Sequence, residues 1–278
     1  MNIYGDTEQE KIIDDLQKWF EENKKLPNKI DRIYLTRFYL RTSKNIEATK
    51  KLLEDNFALR SKYPNIFFNR DPESQETRNT ADLASDSAFR YIVPLPGQTP
   101  EKERVTLFKL KNTDPEKLHF VDDVKTLIMI YDYCLSMPDL EIQDIPYITE
   151  GPIQIIDMQG ISMGHVTRTS PKILTVLLQY LQNFCPGTIK GIHLINCPMY
   201  VNMMFTVAKP FLKKQIIDVI HFHNDGLGTL CAYVPLELLP LEYGGKAGRL
   251  TKIADDILSG IQAKRGYIMD PNYWTIME

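Results

Sequence analysis

Between residues 151 and 245, short apolar runs alternate along the chain with longer amphipathic segments. The apolar runs are rich in β-branched side chains and are followed by polar or turn residues, which is typical of buried strands. The segments between them are long enough for several helical turns, and each contains a proline close to its start. Strands joined by helical crossovers pair in parallel, so we expect an α/β fold with a mostly parallel sheet. The pattern predicts strands at 153–157, 189–196 and 216–223 and helices at 170–184 and 198–212.

The apolar spacing ahead of this block is helical. It predicts amphipathic helices at 12–20, 31–40 and 46–60, which together form an N-terminal three-helix region. The stretch 69–80 is charged and lacks an apolar period, so we interpret it as a connector between this region and the rest of the chain.

Four further segments complete the prediction. Alternation at 105–110 indicates an antiparallel or edge strand, and the segment 122–135 is apolar around so much of its circumference that it predicts a largely buried helix. Beyond the α/β block we expect an amphipathic helix at 253–261 and an irregular tail at 267–278. The predicted divisions are an N-terminal helical region at 1–75, an α/β domain at 76–250 and a C-terminal tail with a helix at 251–278.

The bulk composition narrows the function classes. A chain of 278 residues can form one large domain or two ordinary ones, and its formal net charge of -3 gives no global attraction to nucleic acid. The four cysteines form no C-x-x-C pair, which argues against a zinc knuckle or a disulfide framework and favours a reducing compartment. The first residues are polar, and no apolar run approaches the roughly 20 residues of a membrane span. We therefore expect a soluble, cytoplasmic protein with no nucleic-acid partner.

Ser162 lies in the spelling G-x-S-x-G of a hydrolase nucleophile elbow. Such a serine works on a strained turn between a strand and a helix, whereas the next predicted helix begins too late and leaves Ser162 in a loop. Asp218 and either His221 or His223 follow in the order that a triad requires, so a serine hydrolase stays a remote alternative. We expect no catalytic residues, because the predicted strands are too few for an α/β-hydrolase.

Two histidines, His221 and His223, are two apart on a predicted strand and so share one face. His165 or His193 could complete a metal set with them, but no acidic or cysteine ligand stands at short spacing, so we expect singly hydrogen-bonded histidines and no metal. Asp157 ends a predicted strand, where α/β sites place catalytic groups, and we favour a role in binding loop amides. No glycine-rich phosphate loop is present, so we expect no nucleotide cofactor.

The segment 198–212, called the lid segment below, carries an excess of apolar side chains. Only Asn202, Thr206 and Lys209 interrupt a run rich in methionine and aromatic residues. An unbranched, methionine-rich surface suits a flexible ligand, another protein or a membrane. A fully buried core helix would show the same composition, so both interpretations stay open.

Four blocks of residues, in this order and spacing, resemble the CRAL-TRIO lipid-transfer family, particularly its tocopherol- and retinaldehyde-binding branch. The resemblance extends over residues 36–245, and the predicted N-terminal helices are similar to the family's N-terminal three-helix region. The blocks are Ile156–Gly160, Gly191–Asn196 with Pro198, Lys209–Leu212 and Leu239–Gly245.

The resemblance implies a bowl whose sheet floor and helices enclose one apolar molecule under a mobile helical lid. It implies a non-enzymatic carrier that transfers a tocopherol, retinoid, carotenoid or similar lipid between membranes. By the same matching, the lid segment faces both ligand and membrane. The implied ligand contacts are Val124, Leu127, Tyr131, Gln154, Ile156, Met163, Leu177, Tyr180, Leu181, Ile189, Ile192, Phe205, Ala208 and Leu212. The implied lid and membrane contacts are Tyr200, Met204, Val207, Lys209, Lys213 and Lys214.

Two points stay open at the level of sequence. Gln154 shares a strand face with Ile156, so its amide either points into the cavity or bonds neighbouring backbone. The branch's basic residues for phosphoinositide headgroups are replaced here by Thr188, Gln215 and Val219, which leaves phosphoinositide binding undecided. A lipid-responsive module whose lid binds another protein is the alternative to a carrier.

Overall fold

The protein is described by a computed structural model over residues 7–80, 90–142, 145–149, 151–224 and 226–277. Helices and strands alternate over much of this length. The α-helices are α1 (Thr7–Glu22), α2 (Arg32–Arg41), α3 (Ile46–Lys62), α4 (Pro64–Phe67), α5 (Gln75–Thr80), α6 (Phe120–Leu135), α7 (Met163–Arg168), α8 (Pro171–Gln179), α9 (Val201–Ala208), α10 (Lys214–Ile217), α11 (Leu227–Leu230), α12 (Leu250–Ala263), α13 (Arg265–Met269) and α14 (Pro271–Trp274). The strands are β1 (Arg90–Pro94), β2 (Arg104–Leu110), β3 (Leu140–Ile142), β4 (Ile145–Tyr147), β5 (Pro152–Asp157), β6 (Gly191–Ile195) and β7 (Ile220–His223).

Five strands form one sheet in the order β1-β2-β5-β6-β7, while β3 and β4 pair separately. The strands β2, β5, β6 and β7 run parallel, and β1 is antiparallel to β2. The predicted α/β fold with a mostly parallel sheet is therefore confirmed. Of the two alternatives for 105–110, the antiparallel strand is confirmed by the pairing of β2 with β1, and the edge position is wrong because β2 also pairs with β5.

The two faces of the sheet have different surroundings because side chains alternate along each strand. One face packs against α11 and α12 in a solid apolar core. The other face, which carries Phe108, Ile156 and Leu194, lines a cavity. The solid core contains Val93, Leu95, Val105, Leu107, Ile153, Ile155, Ile195, Leu230, Val234, Leu239, Leu250 and Ala254.

The predicted N-terminal helices are present as α1, α2 and α3. Two of them begin at side-chain caps, because Asp31 accepts from the Tyr34 N–H at 3.0 Å and Asn45 accepts from the Ala48 N–H at 2.9 Å. The stretch interpreted as a connector at 69–80 ends in the short helix α5, whose six residues are too few to show an apolar period.

The irregular tail predicted at 267–278 is wrong, because this segment contributes to α13 and forms α14. Trp274 is only 4% exposed and lies in the apolar cluster of the N-terminal helices. Its ring packs edge-on against Tyr34 and Tyr267, with centroid distances of 5.7 and 5.2 Å. The Lys29 N–H also donates to the Asn272 carbonyl at 2.9 Å. The segment 265–274 therefore completes the N-terminal core.

A buried ion cluster joins the N-terminal helices to α6. Both guanidinium ends of Arg60 donate to Asp132, at 2.7 and 2.8 Å, and Arg70 pairs with the same carboxylate. Burial alone raises the pKa of Asp132, but the two arginines hold it below its ordinary value. Breaking such a pair leaves an uncompensated buried charge, so the contact fixes α3 to α6 firmly.

Two boundaries in the α/β block differ from the prediction. The predicted strand 216–223 begins only at Ile220, because residues 214–217 form α10. The predicted helix 170–184 is α8 followed by a π-helical turn at Tyr180–Phe184. In none of the described stretches is a helix both long and apolar enough to cross a membrane.

Candidate functional site

An apolar cavity of about 270 Å³ lies between the sheet and helices α6, α8 and α9. Its volume is just below the range usual for the pockets of drug-sized ligands. Most side chains expected to contact ligand line its wall. They are Leu127, Tyr131, Gln154, Ile156, Leu181, Ile189, Ile192, Phe205, Ala208 and Leu212.

Four of the expected ligand contacts lie elsewhere. Val124 and Leu177 pack in a separate cluster with α4 and α8, because α6 is apolar on more than one side. Tyr180 is fully buried and its hydroxyl accepts from Arg60 at 2.8 Å. Met163 begins α7 and is 39% exposed. The prediction that these four side chains line the pocket is therefore wrong for this structure.

Several cavity residues were missed by sequence reasoning. Leu194 follows Ile192 by two positions on β6, so strand alternation alone could have indicated it. Phe108 and Ile220 belong to neighbouring strands, and their position depends on a pairing that the sequence does not show. The missed residues are Phe108, Leu178, Gln182, Leu194, Ile216 and Ile220.

One polar contact interrupts the apolar wall. The Gln154 amide Nε2 donates to the Tyr131 hydroxyl at 2.7 Å, and Gln154 is 6% exposed. The amide therefore bonds a side chain of α6. The alternative in which it bonds neighbouring backbone is wrong. Burial raises the pKa of Tyr131 well above its ordinary value, so the phenol keeps its proton.

The lid segment closes over the cavity through three contacts. The ring of Phe205 packs edge-on against Phe222 of the floor at 5.5 Å between centroids. At one end of the lid segment, the Tyr200 hydroxyl donates to the Ile161 carbonyl at 2.5 Å. At the other end, Gln182 donates to the Phe211 carbonyl at 3.0 Å. These contacts hold the lid segment near both of its ends and at Phe205.

The outer surface of the lid segment carries an apolar strip beside the exposed Asn202 and Thr206, so the fully buried interpretation is wrong. Met203 and Val207 are 52% and 56% exposed, and Met199 and Phe211 are exposed at the same four-residue spacing. Met204, which was expected at the membrane, is half-buried, because it lies on a different side of α9 from Met203. Exposed lysines lie around the C-terminal end of this apolar strip, at Lys209, Lys213 and Lys214.

A second cavity of about 570 Å³ opens at the N-terminal ends of β2 and β5 and shares Tyr131 with the first. Its wall is polar. Arg37 donates to both oxygens of Asp139 at 3.0 Å, and Arg104 lies 3.3 Å from the same carboxylate. Burial alone raises the pKa of Asp139, but Arg37 and then Arg104 lower it to about 2. Arg41 donates to backbone carbonyls, including that of Gly187 at 3.0 Å.

The carboxylate at the end of β5 connects several elements by hydrogen bonds. Asp157 accepts from Lys109 at 2.7 Å, Asn196 at 2.8 Å, Tyr243 at 2.6 Å and the Gln159 N–H at 3.0 Å. The favoured interpretation, in which it binds a loop amide, is therefore correct but incomplete. Three of the motif blocks meet at this residue, which explains why they occur together.

The histidines pack on the sheet face opposite the apolar cavity. His193 Nδ1 lies 2.9 Å from His223 Nε2, and the rings of His193 and His221 stack at 4.9 Å. No metal-binding group of three or more His, Cys, Asp or Glu occurs within the described ranges. Burial, then His221 and His223, lowers the pKa of His193 to about 4.

Ser162 does not meet the proposed triad partners. The prediction that it lies in a loop ahead of the helix at 170 is wrong, because it is the N-cap of α7, a helix that was not predicted. Its hydroxyl lies 2.9 Å from His165 Nδ1, and the two residues form a capping box. Asp218 pairs instead with Lys214 at 2.8 Å, and His223 contacts Thr229 at 2.8 Å. The arrangement caps a helix and does not assemble a Ser-His-Asp site.

Residues 89–245 match the family model described as CRAL/TRIO domain. The chain belongs to the CRAL/TRIO domain family. Residues 6–77 match a second model, described as Pinta-like, UBA domain. The resemblance drawn from the motif blocks is thus confirmed, as is an N-terminal helical region followed by a CRAL/TRIO domain with a mostly parallel sheet.

Relatives of this CRAL/TRIO protein differ from it considerably. The human (Homo sapiens) Alpha-tocopherol transfer protein-like is 24% identical over 230 residues, which cover 83% of this chain and 63% of the relative. Clavesin-1 from Rattus norvegicus is 29% identical over 142 residues, covering 51% of this chain and 38% of the relative. The chain therefore spans less than two thirds of the length of these relatives.

A solved structure, titled Crystal structure of Sfh5, is similar with a TM-score of 0.52 and 17% identity, covering 96% of this chain and 99% of that chain. At that identity the likeness shows a shared fold alone.

Proposed function

We propose that this CRAL/TRIO protein is a non-enzymatic carrier that holds one hydrophobic small molecule and transfers it between membranes. The observation that carries the proposal is an apolar cavity with the lid segment over it. The inner side of the lid segment is apolar, and its outer side carries an exposed apolar strip. The tocopherol-transfer name of a relative makes a tocopherol, retinoid, carotenoid or similar lipid the first class to test.

The energetics of such a cavity favour a lipophilic passenger. Burying on the order of 500 Å² of ligand surface, at about 25 cal/mol/Å², contributes roughly 12 kcal/mol. Association and ordering remove several kcal/mol or more of this gain. A single hydrogen bond adds about 1 kcal/mol, so the polar groups in the wall select among ligands more than they hold them.

The lid segment supplies the membrane contact in this proposal. Met199, Met203, Val207 and Phe211 form an exposed apolar strip along it, and a membrane interface buries such a strip. The lysines that follow the strip attract an anionic leaflet by about 1 kcal/mol each. Lid opening on that surface would give the ligand a path between cavity and bilayer without crossing water.

The test is extraction of a lipid from vesicles. The full chain is incubated with phosphatidylcholine vesicles that contain α-tocopherol or all-trans-retinol, separated by gel filtration and analysed by native mass spectrometry and solvent extraction. We expect one lipophilic molecule per protein, from the vesicles or already present after purification. Folded protein that never carries a lipophilic molecule from any of these sources would overturn the proposal.

A further inference from the structure

Three histidine rings, called the histidine cluster below, stack on the sheet face opposite the apolar cavity. His193 of β6 is the register partner of His221 of β7, and their ring centroids are 4.9 Å apart. The ring of His223 lies 5.2 Å from that of His193, and Tyr233 packs 4.7 Å from His193 and from His221. His193 and His223 are buried. The cluster therefore lies inside the fold, between two strands that it helps to hold together.

The histidine cluster has no means of accommodating several positive charges. The 2.9 Å contact between His193 Nδ1 and His223 Nε2 is a hydrogen bond only while one of these nitrogens lacks a proton, because a protonated ring carries hydrogen on both. No carboxylate among the described residues forms an ion pair with these rings. The groups that face them from other elements are Tyr233 and the Thr229 hydroxyl of α11, 2.8 Å from His223, and α11 carries no charged side chain.

β7 connects the histidine cluster to the lid segment. It is the last strand in the order of the five-stranded sheet and pairs there with β6. Because side chains alternate along a strand, Phe222 points away from the cluster, and its ring contacts Phe205 of the lid segment at 5.5 Å. α10 joins the lid segment to β7, and Ile216 and Ile220 from these two elements line the cavity. A displacement of β7 therefore reaches the lid through a ring contact and through the chain itself.

We propose that the histidine cluster is a pH-sensitive switch that loosens the lid segment when its rings take up protons. This inference rests on the proposed carrier function and names its regulation. Protonation of both His193 and His223 breaks their hydrogen bond and places like charges on rings 5.2 Å apart. The repulsion displaces β7, which has a strand neighbour on one side, and Phe222 moves with it. The carrier thus retains its ligand at neutral pH and releases it faster in acid.

The direction of the effect follows from the protons that the two states bind. While β7 is in place, burial and then His221 and His223 lower the pKa of His193 to about 4. A histidine released into water has a pKa of about 6.5. Between these values the displaced state binds the proton and the closed state does not, so a fall in pH favours displacement. From pH 7.5 to 5.5, His193 alone raises the population of the displaced state by up to about tenfold.

The test measures ligand release at two pH values. The full chain, loaded with N-phenyl-1-naphthylamine, is mixed by stopped flow with phosphatidylcholine vesicles, whose headgroup does not titrate in this range. We expect wild type to release the fluorophore about tenfold faster at pH 5.5 than at pH 7.5. His193→Gln keeps a side chain that hydrogen-bonds but takes up no proton, so its ratio should be below about twofold.

His119→Gln is the matched control, because His119 is exposed ahead of α6 and far along the chain from the cluster. Its ratio should equal that of wild type. If circular dichroism shows that His193→Gln does not fold, His221→Gln at the half-buried position takes its place. That variant removes one of the two neighbouring charges, so its ratio should fall to about threefold.

Two further measurements separate local opening from unfolding. Trp19 and Trp274 both pack in the apolar cluster of the N-terminal helices, so their emission should be the same at the two pH values. Hydrogen exchange of the protein without fluorophore, corrected for the intrinsic pH dependence of exchange, should become faster at pH 5.5 in β7 and the lid segment. The amides of α3 and α6 should not change.

Equal release rates at the two pH values in wild type would overturn the inference, as would a wild-type ratio in the variant of the cluster. Faster release that is accompanied by a change in tryptophan emission would overturn it too, because acid would then act on the whole fold. Wild type that extracts lipid from vesicles but releases it independently of pH keeps the carrier function and loses the switch. Faster exchange of β7 and the lid segment in acid, in a protein that never carries a lipid, would keep the switch and remove the carrier function.

Discussion

The backbone N–H of Lys213 donates to the side-chain oxygen of Gln182 at 2.6 Å. Gln182 lies in the π-helical turn after α8, and its amide nitrogen donates to the Phe211 carbonyl at 3.0 Å. One side chain therefore holds two successive parts of the chain where the lid segment ends. Its loss would release that end of the lid without altering the cavity floor.

Gln182→Met should therefore speed ligand release. Two hydrogen bonds of about 1 kcal/mol each connect the lid to the turn after α8 through this residue, so we expect a release rate about thirtyfold higher. The rate is measured by stopped-flow transfer of N-phenyl-1-naphthylamine from the protein to vesicles. Gln179→Met, an exposed position on the same helix, is the matched control and should keep the wild-type rate. An unchanged rate in Gln182→Met would show that the lid does not open at this end.

The exposed strip of the lid should govern vesicle binding. Met203→Asp/Val207→Asp places two charges on the strip, and we expect vesicle association and lipid transfer to fall by more than about tenfold because charged side chains are expensive in a bilayer. Sedimentation with vesicles and the transfer rate measure the two effects.

Asn202→Asp/Thr206→Asp adds the same charge on another side of α9 and should have a much smaller effect. Equal losses in both variants would attribute the effect to net charge. Normal vesicle association with lost binding of a protein partner would instead favour the protein-interaction alternative.

The Asp139 ion pair should make stability fall in acid. The pKa of Asp139 is about 2 in the folded protein and about 4 when unfolded, so the unfolded state takes up the proton first as the pH falls. The stabilisation, about 2 kcal/mol, is present above pH 4 and is lost between about pH 4 and pH 2. Urea titrations at each pH measure it. Asp139→Asn should flatten the slope in this window, whereas the exposed Asp15→Asn should not.

The stacked histidines should destabilise the fold over a higher pH range. Burial and the two neighbouring rings lower the pKa of His193 to about 4, so in the window from about 6.5 down to 4 only the unfolded state is protonated at this residue. The free energy of unfolding should therefore decrease as the pH falls through that window. His193→Gln should reduce the slope, while His119→Gln, at an exposed position, should leave it unchanged. A wild-type curve that is flat from pH 7 to 4 would contradict this prediction.

Trp274→Ala should destabilise the N-terminal helices. Trp274 is 4% exposed within their apolar cluster, and truncating a buried aromatic side chain costs about 3–5 kcal/mol. Urea unfolding measures the loss. Met277→Ala, which removes a half-exposed side chain nearby in the sequence, should change the free energy of unfolding by less than about 0.5 kcal/mol.

Sequence reasoning located the strands and helices whose pattern is local. The apolar run at 153–157 and the helical spacing at 122–135 correspond to β5 and α6, because burial of a strand or a helix imposes its own period. The helices α13 and α14 were missed because five and four residues are too few to show one. Their burial comes from aromatic packing on helices that are distant in sequence.

The candidate site was predictable in part for the same reason. Side chains on β5 and β6, such as Ile156 and Ile192, follow from alternation once one cavity-facing residue is known. Val124 was placed wrongly because an apolar helix does not show which of its sides meets a cavity. Met203 and Met204 are neighbours in sequence but lie about 100° apart on a helix, so the exposed methionine depends on where α9 begins.

The packing of Trp274 among the N-terminal helices makes the protein mechanically asymmetric. Separating those helices from α6 would expose the buried indole of Trp274 and the charges of Arg60 and Asp132. Lifting the lid segment breaks the Tyr200 and Gln182 hydrogen bonds, the Phe205–Phe222 ring contact and the apolar packing around Val201. We therefore expect a ligand to enter and leave by displacement of the lid segment, while the N-terminal helices and α6 keep their relative positions.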